Sequence, residues 1–292
     1  MVAPAAEIEL GIIGGSGLYD LETLADRREV ALTTPYGDPS DKVGVGVLDG
    51  RPIAFLARHG RGHRYLPTEV PAAANIHALK QLGVQRILSI SAVGSLRNEI
   101  EPSHLVVPDQ LVDLTRHRRS TFFGAGLVAH VPLGDPFCPA LRAGLTDVAA
   151  SAGATVHRAG TYVCIEGPQF STRAESELYR AWSADIIGMT AATEVKLARE
   201  AGICFATLAL VTDYDCWRTG GPSVTADMVA SVMRANIATA KDIIRKFAAS
   251  SDGTARDCEC ADAMRHAVMS DPASVPGDTA DRLALIAGKQ LR

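Results

Sequence analysis

The sequence predicts an α/β sandwich, a largely parallel or mixed sheet covered on both faces by helices, and three observations carry that expectation. Apolar β-branched runs alternate with stretches of helical spacing from about residue 8 to residue 248. No internal repeat, low-complexity tract or long linker interrupts the alternation. Hydrophobic residues make up 47% and charged residues 21% of 292, which supplies a sizeable core. Strands that alternate with helices leave a sheet buried on both sides.

The run Ile8 to Ile13 reads as the first strand and leads into Gly14-Gly15-Ser16-Gly17. A second apolar run, Pro52 to Leu56, precedes a loop rich in cations. Val70, Ala73, Ala74, Ile76 and Leu79 keep a helical spacing, and Gly83 supplies the stop. Arg86 to Ile90 reads as a strand followed by the small-residue turn Ser91-Ala92-Val93-Gly94-Ser95. Helices are predicted around 139–151, 173–182 and 192–201, with strands around 155–165, 185–188 and 203–211. A long amphipathic helix around 225–248 closes the principal domain, 1–248.

Residues 249–292 differ in texture. Ser250 to Gly253 reads as a turn or short linker, Cys258-Glu259-Cys260 follows, and short helices are predicted over Ala261–Met269 and Asp281–Ala287. Too few apolar residues sit there for a separate core, so this stretch reads as a tail that packs on the main domain or on a neighbour.

A formal net charge of −4 and a pI near 6.1 argue against binding nucleic acid by phosphate neutralisation. No stretch approaches the roughly 20 apolar residues that span a bilayer. The opening MVAPAAEIEL lacks the basic and apolar regions of a signal peptide, so a cytoplasmic protein is expected. The six cysteines, Cys138, Cys164, Cys204, Cys216, Cys258 and Cys260, read either as buried reduced thiols or as a set of structural disulfides. Only Cys258 and Cys260 are close in sequence, which argues against a metal site.

Chemistry concentrates in five segments that follow strands, where ligands of open α/β sheets gather. Gly14-Gly15-Ser16-Gly17 lets backbone approach a ligand and offers a hydroxyl, yet matches neither GxGxxG nor the P-loop pattern. Arg58-His59-Gly60-Arg61-Gly62-His63 is a dense cationic loop suited to phosphate oxygens, or otherwise a solvated basic loop. Ser91 to Ser95 adds hydroxyls and small residues. Ile165 to Glu175 places Glu166 and Phe170 beside a helix opening at Ser171 or Thr172, where a lone Phe could equally be core. Thr212-Asp213-Tyr214-Asp215 carries two carboxylates that would share a face if the strand continued. Paired carboxylates are costly unless they meet a cation, a donor-rich ligand or a shared proton.

In this order the segments GIIGGSGLYD, TPYGDPSD, LARHGRGH, SAVGSL, DPFCP, IEGPQFSTRAE, MTAATEVKLAREAGI and TDYDCW resemble the methylthioadenosine phosphorylase branch of the trimeric purine nucleoside phosphorylase family. The resemblance runs from about Leu10 to Phe247. It implies a three-layer α/β/α sandwich with a central mixed sheet, the purine nucleoside phosphorylase-like fold. It also implies a phosphate site of Ser16, Arg58, His59, Ser91, Ala92 and Thr190, with Ser at two positions where relatives often carry Thr. Phe170 would pack on the purine, Met189 would lie under the ribose, and Asp213 and Asp215 would face the base edge as catalytic groups. Val229 would line the 5' pocket, and His130 would reach a neighbour's active site. Ala226 and Ala230 stand where bulkier apolar residues occur in relatives.

The implied reaction is phosphorolysis of 5'-methylthioadenosine, with inorganic phosphate as co-substrate and no metal or organic cofactor. Methylthioinosine or broader purine nucleosides are the alternative substrates, and a purine-binding module without chemistry is the alternative from another class. An Asp acceptor favours a 6-amino purine over a 6-oxo one. The implied assembly is a homotrimer or a dimer of trimers. Cys258-Glu259-Cys260 resembles a feature of some archaeal members in which such cysteines join disulfides, and Cys138 and Cys204 could then pair.

Overall fold

A computed structural model describes residues 8–15, 24–218, 225–250 and 256–291. The described residues build one mixed sheet of 11 strands with helices on both faces. Strand β1 (Leu10–Gly14) is buried throughout and lies parallel between β4 (Arg51–Ala57) and β5 (Arg86–Ser95). Its side chains alternate: Leu10 and Ile12 enter one core and Ile13 the other, as the two-residue period of a strand requires. On one face Leu10 and Ile12 meet α2 (Pro139–Ser151) and α5 (Ala226–Ser250). On the other, Ile13 meets α1 (Ala72–Gln81) and α4 (Ala191–Glu200). The structure is therefore the expected α/β/α sandwich.

Strand β5 is the hinge of the architecture. One edge pairs with β11 (Cys204–Asp213) along its length. The other edge pairs with β1 through Ser89, then from Gly94 receives β10 (Ile186–Gly188) antiparallel. Between Ser89 and Gly94 this edge has left β1 and not yet met β10. Such a fork is where open α/β sheets accept ligands. The predicted turn at Ser91–Ser95 is thus strand: β11 holds it by pairing Val93 with Val211, and β10 by pairing Ser95 with Ile186.

Other departures have local causes. β2 (Ala25–Val30) is charged and largely exposed, so no alternation betrays it. β3 (Val43–Leu48) alternates Val with Gly and joins β4 through Asp49-Gly50, whose φ values of +46° and +83° make the tight turn that suits a hairpin. The predicted strand over 155–165 divides at Gly160 into β8 (Val156–His157) and β9 (Thr161–Cys164), which serve different partners. Two short strands, β6 (Leu105–Val106) and β7 (Gln110–Asp113), complete the sheet. Helix α3 (Arg173–Ala181) opens with a capping box: the Thr172 hydroxyl accepts from Glu175 N–H at 3.2 Å and Glu175 accepts from Thr172 N–H at 2.7 Å.

In the tail, Ala261–Met269 forms a 3-10 turn at Glu259–Asp262 followed by turns rather than a helix. The last helix, α6, is longer than predicted and spans Gly277–Ala287. Leu283, Ile286 and Ala287 join the core that contains Ile13 and Val195, and Arg256 donates to Gly202 O at 2.7 Å. All six cysteines are free thiols, so the implied Cys138–Cys204 disulfide is not formed. The tail brings the Cys258 sulfur to 3.4 Å from that of Cys204, and Cys204 shares one cluster with Cys138, Cys258 and Cys260.

Candidate active site

A cavity of about 430 Å³ opens at the β5 fork. Gly15 reaches it from the end of β1, Ser91 to Gly94 from the stretch of β5 at the fork, and Ile187 to Thr190 from β10 and the start of α4. Thr212, Asp213 and Asp215 come from the end of β11, and Ala226, Val229, Ala230 and Met233 from α5. Of the residues picked out from the sequence, the cavity wall includes Arg58, His59, Ser91, Ala92, Phe170, Met189, Thr190, Asp213, Asp215 and Val229. Ser16 lies outside the described residues. His130 does not line the cavity; it is exposed, and its N–H donates to Ala267 O.

Arg58 follows β4 and is 1% exposed. It does not simply wave at a ligand. Its Nε donates to Glu194 Oε1 at 2.5 Å, Nη2 to Ser89 Oγ at 2.6 Å and to Glu194 Oε2 at 3.1 Å, and Nη1 to Ile90 O at 2.9 Å. Ser89 Oγ in turn donates to Glu194 Oε2 at 2.8 Å. Glu194, buried in the first turn of α4, therefore fixes the guanidinium and neutralises its charge. Sequence reading missed Glu194, because a Glu on an amphipathic helix ordinarily reads as a solvated face.

His59 Nδ1 lies 2.9 Å from Tyr65 O. A carbonyl only accepts, so Nδ1 carries a proton. Burial, with the Arg58 cation beside it, pushes the pKa down to about 4. At pH 7 the ring is neutral and its Nε2 is an acceptor. His63 stacks on it with centroids 4.4 Å apart and also reaches the cavity.

Hydroxyls add to the polar wall. Ser91 Oγ and Thr190 Oγ1 are buried at the cavity wall and, among the described residues, complete no hydrogen bond. A buried polar atom without a partner is unfavourable by about 1–3 kcal/mol, so these atoms suit a ligand that accepts from them. Thr190 stands before α4 but its side chain makes no cap, which leaves the helix N-terminus and the hydroxyl together at the wall. Gly188 has to be glycine: a Cβ there would lie 2.0 Å from Tyr162 Oη.

The carboxylates are aimed by irregular backbone. β11 is bulged between Val211 and Asp213, so Thr212 is inserted and Asp213 is turned into the cavity. Asp215 sits at φ +50° and its N–H donates to Asp213 Oδ1 at 2.7 Å, while Thr212 Oγ1 lies 2.7 Å from Asp213 Oδ2 and donates to it. The two residues thus reach the same cavity through a turn rather than through strand alternation. Burial raises both pKa values from the ordinary carboxylate range, and the charge of Asp213 adds to the rise at Asp215. Gly94 makes room for them: a Cβ there would stand 3.0 Å from Asp213 Oδ1 and 3.4 Å from Asp215 Cβ.

Phe170 is 44% exposed and leans over the cavity, which is unlike a core Phe. Arg118 bonds the carbonyls of Met189 and Glu166 together with the Glu166 carboxylate, tying the loop before Phe170 to the residue before Thr190. No sequence signal distinguished Arg118 within Arg116-His117-Arg118-Arg119.

Comparison with known proteins places this arrangement. Residues 9–249 match the phosphorylase superfamily. The chain belongs to that superfamily. Among phosphorylases, the S-methyl-5'-thioadenosine phosphorylase of Geobacter sulfurreducens is 54% identical over 280 residues, 96% of this chain and 98% of that protein. The S-methyl-5'-thioadenosine phosphorylase of Hyperthermus butylicus is 53% identical over 84% of this chain and 89% of its own length. The crystal structure of a methylthioadenosine phosphorylase from an antarctic soil metagenomic library aligns with a TM-score of 0.90 at 47% identity, covering 96% of this chain and 98% of that one. Methylthioadenosine phosphorylase from Schistosoma mansoni in complex with adenine aligns with a TM-score of 0.80 at 36% identity, covering 85% and 94%.

Proposed function

We propose that this phosphorylase cleaves S-methyl-5'-thioadenosine with inorganic phosphate, yielding adenine and S-methyl-5-thioribose 1-phosphate. The observation that carries this reading is the composition of one cavity. It joins a cation and hydroxyl set, two carboxyls of raised pKa, and an apolar stretch of α5 made by Ala226, Val229, Ala230 and Met233. The relatives just described support the same substrate.

In this reading Ser91, Ala92, Thr190 and the α4 N-terminus hold phosphate beside Arg58, with Ser16 completing the set. Neutral His59 accepts at Nε2 from a phosphate hydroxyl, so monohydrogen phosphate is the form it orients. A phosphate oxygen attacks C1' as the C1'–N9 bond breaks, and the bonding pair moves onto the purine. That developing negative charge takes a proton at N7. Asp213, whose hold on a proton is strengthened by burial, supplies it, and Asp215 accepts from the 6-amino group. Phe170 packs on the base, Met189 lies under the ribose, and Val229 borders the methylthio group. The step calls on no cofactor.

The exposed His130 supports a shared site. It is flanked by Val128 and Met269, exposed at 49% and 69%, whose backbones are joined by Met269 N–H donating to Val128 O at 2.9 Å. Apolar residues exposed beside a His on a short ladder suit a contact between copies of the chain. The assembly proposed is a homotrimer or a dimer of trimers, in which His130 closes the 5' end of a neighbouring cavity.

The deciding experiment measures adenine release from methylthioadenosine with and without phosphate, beside adenosine, methylthioinosine and inosine. Phosphate-dependent release that is fastest with methylthioadenosine is expected. Preference for the inosine compounds would overturn the roles given to Asp213 and Asp215, and release without phosphate would overturn the phosphate site.

A further inference from the structure

Strand β11 carries Asp213 at its last residue and Cys204 at its first, so the two ends of one strand lie about 30 Å apart along it. At the Cys204 end four sulfurs converge. Cys138 precedes α2, Cys204 opens β11, and Cys258 and Cys260 come from the tail. All four Sγ atoms lie within 4.8 Å of one another, and those of Cys204 and Cys258 are 3.4 Å apart. None of these residues lines the cavity.

The convergence is imposed by backbone. Cys138 N–H donates to Phe205 O at 2.9 Å, setting the start of α2 against β11. Cys204 N–H donates to Gln85 O at 2.9 Å, and Arg256 donates to Gly202 O at 2.7 Å, drawing the tail to the same place. Gly202 is at φ +65°, and a Cβ there would stand 3.3 Å from Ala261 O and 3.5 Å from Cys260 O. Only Cys258 and Cys260 are neighbours in sequence; the fold supplies the second pair, Cys138 and Cys204, from positions 66 residues apart in the chain.

We propose that Cys138, Cys204, Cys258 and Cys260 form a tetrathiolate site for a zinc-class divalent metal ion that fastens the C-terminal tail to the phosphorylase domain. Zinc–sulfur bonds of about 2.3 Å in a tetrahedron give sulfur–sulfur edges of about 3.8 Å, inside the envelope observed. Soft thiolates in that geometry select zinc over hard cations. All four are free thiols, so none of these sulfurs is bonded to another. On binding, each thiol releases its proton to solvent and the ion takes four thiolates, so the centre carries a net charge of about −2. Leu141 N–H points to Cys138 Sγ at 3.5 Å from the first turn of α2, where it favours the thiolate.

The test uses the full chain, purified with reductant and without chelator. About one zinc per chain by elemental mass spectrometry is expected. Cobalt substituted for zinc should give the thiolate-to-cobalt charge-transfer and tetrahedral visible bands. After denaturation with chelator and no reductant, all six thiols should react. Cys260→Ser should lose the zinc while Cys164→Ala, a thiol outside the cluster, keeps it. Should Cys260→Ser fail to fold, the cobalt spectrum of the unmodified chain still decides. Failure to take up zinc or cobalt under reducing conditions would overturn the site. So would fewer than six reactive thiols, since that result means a disulfide.

Discussion

Arg58 and Glu194 show how one residue's chemistry depends on another far along the chain. A buried guanidinium with its carboxylate removed is an uncompensated charge, and breaking such a pair costs about 3–5 kcal/mol. Glu194→Gln keeps a shape that can accept from Arg58 but removes the charge. We expect a lower melting temperature and a phosphate KM raised about 10-fold, with the nucleoside KM changed much less, since the mispositioned group faces phosphate. Equal rises in both KM values would refute that assignment. Asp213→Asn addresses the other end of the reaction. Without an acidic proton for N7, kcat for methylthioadenosine should fall about 100-fold or more. Asp215→Asn should cost methylthioinosine less than methylthioadenosine, because an amide at that position can donate to a 6-oxo group, and steady-state kinetics on the two substrates would check it.

At the scale of elements, what could be read in the sequence was whatever had a period. Helices α1 to α5 were visible because apolar spacing or caps such as Thr172 mark them. β2 was invisible because ADRREV is a charged edge with no apolar face, and Ser91–Ser95 looked like a turn because small residues suit loops as well as crowded strands. The bulge that aims Asp213 has no sequence mark at all; it arises from pairing with β5. Helix α4 illustrates the same limit. It presents Thr190 to the cavity at its start, Glu194 to Arg58 one turn on, and Glu200 at its end to Phe122 N–H at 2.7 Å and the Thr121 hydroxyl at 2.7 Å. Burial pushes Glu200 up to about 7 from 4.5. The folded chain then binds this proton more tightly than the unfolded chain does, so folding is favoured fully below about pH 4.5 and that share is lost as pH rises through about 7. The share is about 3 kcal/mol. Glu200→Gln, able to accept from Phe122 N–H and donate to Thr121, should flatten the stability curve between pH 5 and 7 in denaturant titrations. An unchanged slope would show that other groups set it.

For the molecule as a whole, alternation alone was enough for an α/β sandwich, whereas the position of the cavity depended on the β5 fork, a long-range feature that no local window contains. The tail is the clearest case of information stored between distant segments: Ala267 to Met269 run beside Val128 to His130, so the face that presents His130 is built half by the phosphorylase domain and half by the tail. If that face joins copies of the chain, a charge placed on it should do two things at once. Met269→Glu replaces the most exposed apolar side chain there with a carboxylate that resists burial. Light scattering should show the mass fall from three or six times 30.8 kDa toward one chain. Turnover of methylthioadenosine should fall with it, although every residue lining the chain's own cavity is untouched. His130→Ala should lower turnover without changing the mass. A fully active monomer would leave each cavity complete by itself and would remove His130 from the site.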